Sequence, residues 1–119
     1  MSILLIRNAQ IAVLDRIVLE NWLISHMKRH FRRLCRTLTE PELADFVRHG
    51  VARANHYGFT ESKYVAKWLN LMALLGRRFD EDPGCSWIAP ILAGSQPSAI
   101  KMEDLLDAAQ RRVWGSRAS

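Results

Sequence analysis

Strand periodicity is missing from this chain. No segment alternates apolar and polar residues with a period of two, so a sheet is not expected. Long apolar runs are missing too: a bilayer span needs ~20 such residues, and the opening run SILLI has five. No basic stretch precedes SILLI and no small-residue cleavage site follows it, so a signal peptide is not expected. Cysteine is scarce. Cys35 and Cys85 lie far apart and form no CxxC. Two such thiols fit a reducing cytosol at least as well as a disulfide, and a cytoplasmic location is the expectation. GxSxG, P-loop and GxGxxG patterns are all missing, which removes the usual signatures of hydrolase, nucleotide and dinucleotide chemistry.

What is present is a globular composition, 49% hydrophobic and 24% charged over 119 residues. That length suits one domain, 1–119, with a core that needs no disulfide or metal staple. Residues 1–7 read as an apolar tail and 115–119 as a frayed end. The net charge is +5 and the pI about 9.8, which permits an acidic partner, nucleic acid or protein. Lys28, Arg29, Arg32, Arg33 and Arg36 form a basic cluster; Asp80, Glu81 and Asp82 form an acidic one, and Glu103, Asp104 and Asp107 another.

The apolar spacing predicts helices. The first runs from about Asn8 to Cys35, with Asn8 as its cap. At ~100° per residue, one stripe holds Val13, Ile17, Ile24, Met27, Phe31, Leu34 and Cys35. A second, on another side, holds Ile11, Leu14, Val18 and Trp22 and then becomes Ser25, Arg29, Arg32, Arg33 and Arg36. Thr39 and Glu42 have capping-box spacing with Pro41 in the first turn, so the next helix starts there. Its apolar face is Leu43, Phe46, Val47, Gly50, Ala54 and Tyr57. Gly50 would let another helix approach closely, and Gly58 would end the helix in a left-handed cap. A helix over about 61–75, with Thr60 as cap, is apolar over most of its wheel and therefore central, with Lys63, Lys67 and Asn70 at its solvent edge. A short helix over 87–92, capped by Ser86 and limited by Pro90, and a last helix over 98–114 complete the chain. In the last, Ile100, Leu105, Leu106, Ala109 and Val113 would face inward. The expected fold is all-α: a bundle of four main helices plus one short one.

Chemistry finds few footholds. An EF-hand loop starting at Asp80 would need Gly at its sixth place and Glu at its twelfth; those places hold Cys85 and Ile91. The run DEDPG reads better as a turn whose acids precede a helix or pair with Arg77 and Arg78, anchored by Phe79 and Trp87. His26 and His30 share a helix face at i, i+4, but no third metal ligand is nearby. Cys35 falls on the core stripe, and Cys85 has no basic neighbour in the sequence to activate it. No catalytic, cofactor or metal residues are assigned. The cluster KRHFRRLCR suits phosphate, yet cations at a helix C-terminus are also stabilising by themselves, and no polar recognition helix accompanies them. The stripe of Ile11, Leu14, Val18 and Trp22 either packs under the last helix or meets a partner.

Three patterns carry a resemblance: His30-Phe31-Arg32; Gly50, Arg53, Ala54, Tyr57, Gly58, Phe59 and Thr60; and Leu71, Met72, Leu74, Gly76, Phe79, Asp80, Asp82, Pro83 and Trp87. From the first helix to Leu92 the chain resembles small all-helical accessory proteins encoded beside effector and spike genes of the bacterial type VI secretion system. The resemblance implies a non-enzymatic adaptor or co-chaperone that binds an effector or its larger adaptor-chaperone. The partner-binding residues expected from the reading as a whole are Ile11, Leu14, Val18, Trp22, Arg29, Arg32, Arg33 and Arg36. The alternatives are a small basic nucleic-acid-binding regulator and an immunity protein of a secreted toxin. A protein partner is favoured over nucleic acid, in a homo- or hetero-oligomer, with no membrane and no cofactor involved.

Overall fold

The computed structural model describes the backbone of residues 8–118 and the side chains of residues 16–112. Among the described residues there is helix and no strand, so the all-α expectation is met. The α-helices are α1 (Asn8–His30), α2 (Arg32–Arg36), α3 (Glu40–His56), α4 (Ser62–Leu75), α5 (Ile88–Ala93) and α6 (Ser98–Ala118). Two 3-10 turns, Phe79–Glu81 and Pro83–Cys85, link α4 to α5. The chain divides into two units, residues 1–48 and 49–119.

In the first unit α1 and the start of α3 run antiparallel. Lys28 pairs with Glu40 at 2.9 Å and Glu20 with Arg48 at 3.3 Å, so eight residues back along α1 match eight forward along α3. The capping box forms as expected: the Thr39 amide donates to Glu42 at 2.8 Å and the Glu42 amide donates to the Thr39 hydroxyl at 3.2 Å. These bonds favour the Glu42 carboxylate and hold its pKa below the usual range. The first helix is not continuous to Cys35. Phe31 leaves helical geometry (φ −131°, ψ 56°), although its amide still donates to Met27 and its carbonyl still accepts from Cys35. The basic run is therefore split between the end of α1 and the separate turn of α2.

In the second unit α4 is the core element, burying Val65, Ala66, Trp68, Leu69, Leu71 and Met72. It packs against α6 and against the Phe79 turn. The close approach expected at Gly50 is present. A Cβ there would overlap the Leu69 Cδ2 methyl and lie 2.9 Å from Met72 Sδ. Gly58, at φ +89°, makes the left-handed exit from α3.

Several boundaries and faces differ from the sequence reading. The cap of α4 is Glu61, not Thr60, and its side chain makes no capping hydrogen bond but lies 3.5 Å from Lys63 Nζ. Ser86 does not cap α5: Trp87 precedes it, and Pro90 sits in its first turn, where a missing N–H costs nothing. Leu74 is exposed because it continues the solvent edge of Lys63, Lys67 and Asn70 at helical spacing. Ile100 is exposed as well, since α6 turns Met102, Leu105 and Ala109 inward instead. The last helix continues through Gly115 to Ala118, because glycine lowers helix propensity by only about 1 kcal/mol. Val113 and the expected N-terminal tail lie outside the residues whose side chains are described.

Candidate protein-docking site

The orientation of α1 sets the site. Its two ion pairs and its buried residues place Glu20, Leu23 and Met27 towards α3, at i, i+3 and i+7. The opposite side of the same helix carries Val18, Trp22, Ser25 and Arg29, at i, i+4, i+7 and i+11. Val18 is 65% exposed and Trp22 43%. Ile17, which the sequence placed on the core stripe, is 50% exposed and flanks the same surface, whereas Leu23, on neither predicted stripe, is fully buried. The predicted wheel was rotated because apolar residues cover most of the N-terminal half of α1, and only the α3 partner decides which of them turn inward. Ile11 and Leu14 lie outside the described side chains.

Charge follows the apolar patch along the chain. Arg29, Arg32, Arg33 and Arg36 are all exposed, and among the described residues no carboxylate forms an ion pair with any of them. Arg29 shares the face of Val18 and Trp22; the other three lie beyond the break at Phe31, on α2. Lys28 is tied to Glu40. An aromatic ladder runs down α1: Trp22 stacks on His26 at 6.0 Å, and His26 meets His30 at 4.7 Å between ring centroids. The indole is thus held in place while one side remains open.

The second unit contains a network that sequence reasoning missed. The Arg53 guanidinium lies 2.6 Å from Asp80, which also accepts from the Tyr57 hydroxyl at 3.1 Å. The Asp80 side chain is only 1% exposed, so its carboxylate is taken up by Arg53 and Tyr57. Tyr57 lies over the fully buried Trp68, which also meets Phe59 and Phe79. Asp82 receives the Gly84 amide and closes the turn. Burial raises the Tyr57 pKa, and the Asp80 charge raises it further. His49, whose Nε2 is buried without a hydrogen-bond partner, is held below the usual histidine pKa by burial and then by Arg77. These residues brace the fold, and Gly50, Arg53, Tyr57, Phe79, Asp80 and Asp82 all belong to the patterns singled out in the sequence.

Burial raises the pKa of both Cys35 and Cys85, which lowers their thiolate fraction. Among the described residues, no three His, Cys, Asp or Glu side chains converge as metal ligands. Nor, among those residues, is any helix long and apolar enough to cross a membrane. An open depression of about 300 Å³ beside Gly76, lined by Leu75, Arg78, Phe79, Glu81 and Asp82, mixes both charge signs and has no enclosed floor. Compared with protein-family models, with curated proteins and with solved structures, the chain finds no match in any of the three.

Proposed function

We propose that this protein is a non-enzymatic docking adaptor, a cytoplasmic accessory that helps load type VI secretion effectors by binding an effector or its adaptor-chaperone. The observation that carries the docking part is the pair of exposed apolar side chains Val18 and Trp22 on one face of α1, with exposed Ile17 beside Val18, followed by arginines that have no carboxylate partner among the described residues. Burying large apolar side chains supplies affinity, and the cations steer an acidic surface onto them. The type VI setting rests on the residue patterns at 30–32, 50–60 and 71–87.

The test is co-expression with an adjacent type VI effector and its adaptor, followed by size exclusion. Co-elution that Val18→Asp abolishes supports the reading; no co-elution with either protein overturns it. Rescue of cells from the toxin by this chain alone would point to an immunity protein instead. A second reading, a nucleic-acid-binding regulator, draws on the exposure of Arg29, Arg32, Arg33 and Arg36. It requires duplex binding that weakens steeply with salt, and an absent signal at low salt ends it.

A further inference from the structure

The α1 surface changes character along its axis. Val18 and Trp22 are apolar, and Arg29 follows on the same face, 11 positions beyond Val18. At ~1.5 Å of rise per residue, the apolar and cationic ends stand about 16 Å apart. An occupant must match both ends at that spacing.

Its backbone conformation is constrained too. Among the described residues there is no strand, so this surface offers no sheet edge to which an extended peptide could add. The side of an α-helix presents side chains while its own backbone bonds are already used. A segment docking there must satisfy its own N–H and C=O groups, and a helix does so.

A second copy of this chain fits poorly. Antiparallel pairing of two α1 helices about Val18 and Trp22 would set Arg29 opposite Ile11 of the partner helix, in the uncharged stretch NAQIAVL at 8–14, with a single carboxylate, Asp15, at its edge and already beside Arg16. Parallel pairing would set Arg29 against another Arg29, and like charges oppose association.

Resting on the docking reading above, we infer that α1 receives an amphipathic helix from a different protein, one that carries an apolar stripe at one end and carboxylates about three turns away. Trp22, braced by His26, is the anchor, and Arg29 with Arg33 selects for acid.

The experiment uses the full chain and a fluorescein-labelled 20-residue helical peptide, with Leu and Ile at i, i+3 and i+4 in its first half and three Glu residues about 11 positions further on. A second peptide replaces each Glu with Lys. Anisotropy titrations are run on the wild type, Val18→Asp, Trp22→Ala and the double variant Arg29→Glu/Arg33→Glu, each checked for unchanged helicity and thermal unfolding. The acidic peptide binds the wild type at least about tenfold tighter than the lysine peptide, and the double variant reverses that order. Trp22→Ala weakens the acidic peptide by roughly 30-fold, as expected for a buried aromatic anchor. Val18→Asp weakens it as well, and it guards against the case in which Trp22→Ala disturbs the fold. Equal binding of the two peptides, no reversal in the double variant, or no binding of either peptide overturns the inference. Failure here with intact co-elution leaves the docking function standing and removes only the acidic helix.

Discussion

Replacing Gly50 with alanine sets two opposed effects against each other, and the structure decides between them. Alanine in a helix interior is favoured over glycine by about 1 kcal/mol. The new methyl, however, would overlap Leu69 Cδ2 and lie 2.9 Å from Met72 Sδ and 3.2 Å from Leu69 Cγ. Leu69 and Met72 are 0% and 1% exposed, so neither can swing into solvent to make room. Overpacking of this kind costs about 1–3 kcal/mol, and two buried neighbours crowded at once place it at the upper end. The net expectation is a loss of about 2 kcal/mol, or a fall in Tm of roughly 6–10 °C for a chain of this size. Thermal unfolding followed by circular dichroism measures it directly. A coupling check follows: Gly50→Ala combined with Leu69→Ala should cost less than the sum of the two single changes by about 1 kcal/mol, because the second change removes the clash. A Gly50→Ala protein as stable as the wild type, or more so, would refute the close approach of α3 and α4 at this position.

Asp80→Asn keeps the shape of the Arg53–Asp80–Tyr57 network but removes the charge that Arg53 faces. Because Arg53 keeps some access to water, the loss is set at about 2 kcal/mol, below the full cost of breaking a buried pair; it is read from the urea midpoint, and a change under about 0.5 kcal/mol would refute the bracing role. His49 titrates below its ordinary 6.5 in the folded chain, so the unfolded chain binds more protons as pH drops through that value. Its contribution is therefore intact above about pH 7 and becomes destabilising as pH falls below 6.5; His49→Gln should flatten the stability slope between pH 7 and 5, and an unchanged slope contradicts this. Thr39→Ala removes one arm of the capping box and should cost about 1 kcal/mol in the same urea assay.

Local chemistry was legible in the sequence. The Thr39–Glu42 box, the close approach at Gly50 and the left-handed Gly58 each depend on a few neighbouring residues, and each stands where the sequence placed it. The helical class followed from periodicity for the same reason. Facing was harder. Ile17 and Leu23 are equally apolar, and only the antiparallel register with α3 turns Leu23 inward and leaves Ile17 in solvent. The break at Phe31 carries no glycine or proline to announce it. Arg53 and Asp80 are 27 residues apart, so no local pattern reveals their pairing. The candidate docking surface is half legible: the sequence marks Val18, Trp22 and the arginines, but places Ile17 on the core stripe.

The most direct test of α1 as a docking surface is amide hydrogen exchange on the full chain, free and in the presence of the candidate effector or adaptor used in the co-expression test. Slowed exchange on binding concentrated in residues 17–30, with residues 63–74 of α4 unchanged, is the predicted result. Unaltered exchange across 17–30, with new protection elsewhere in the chain, would contradict it.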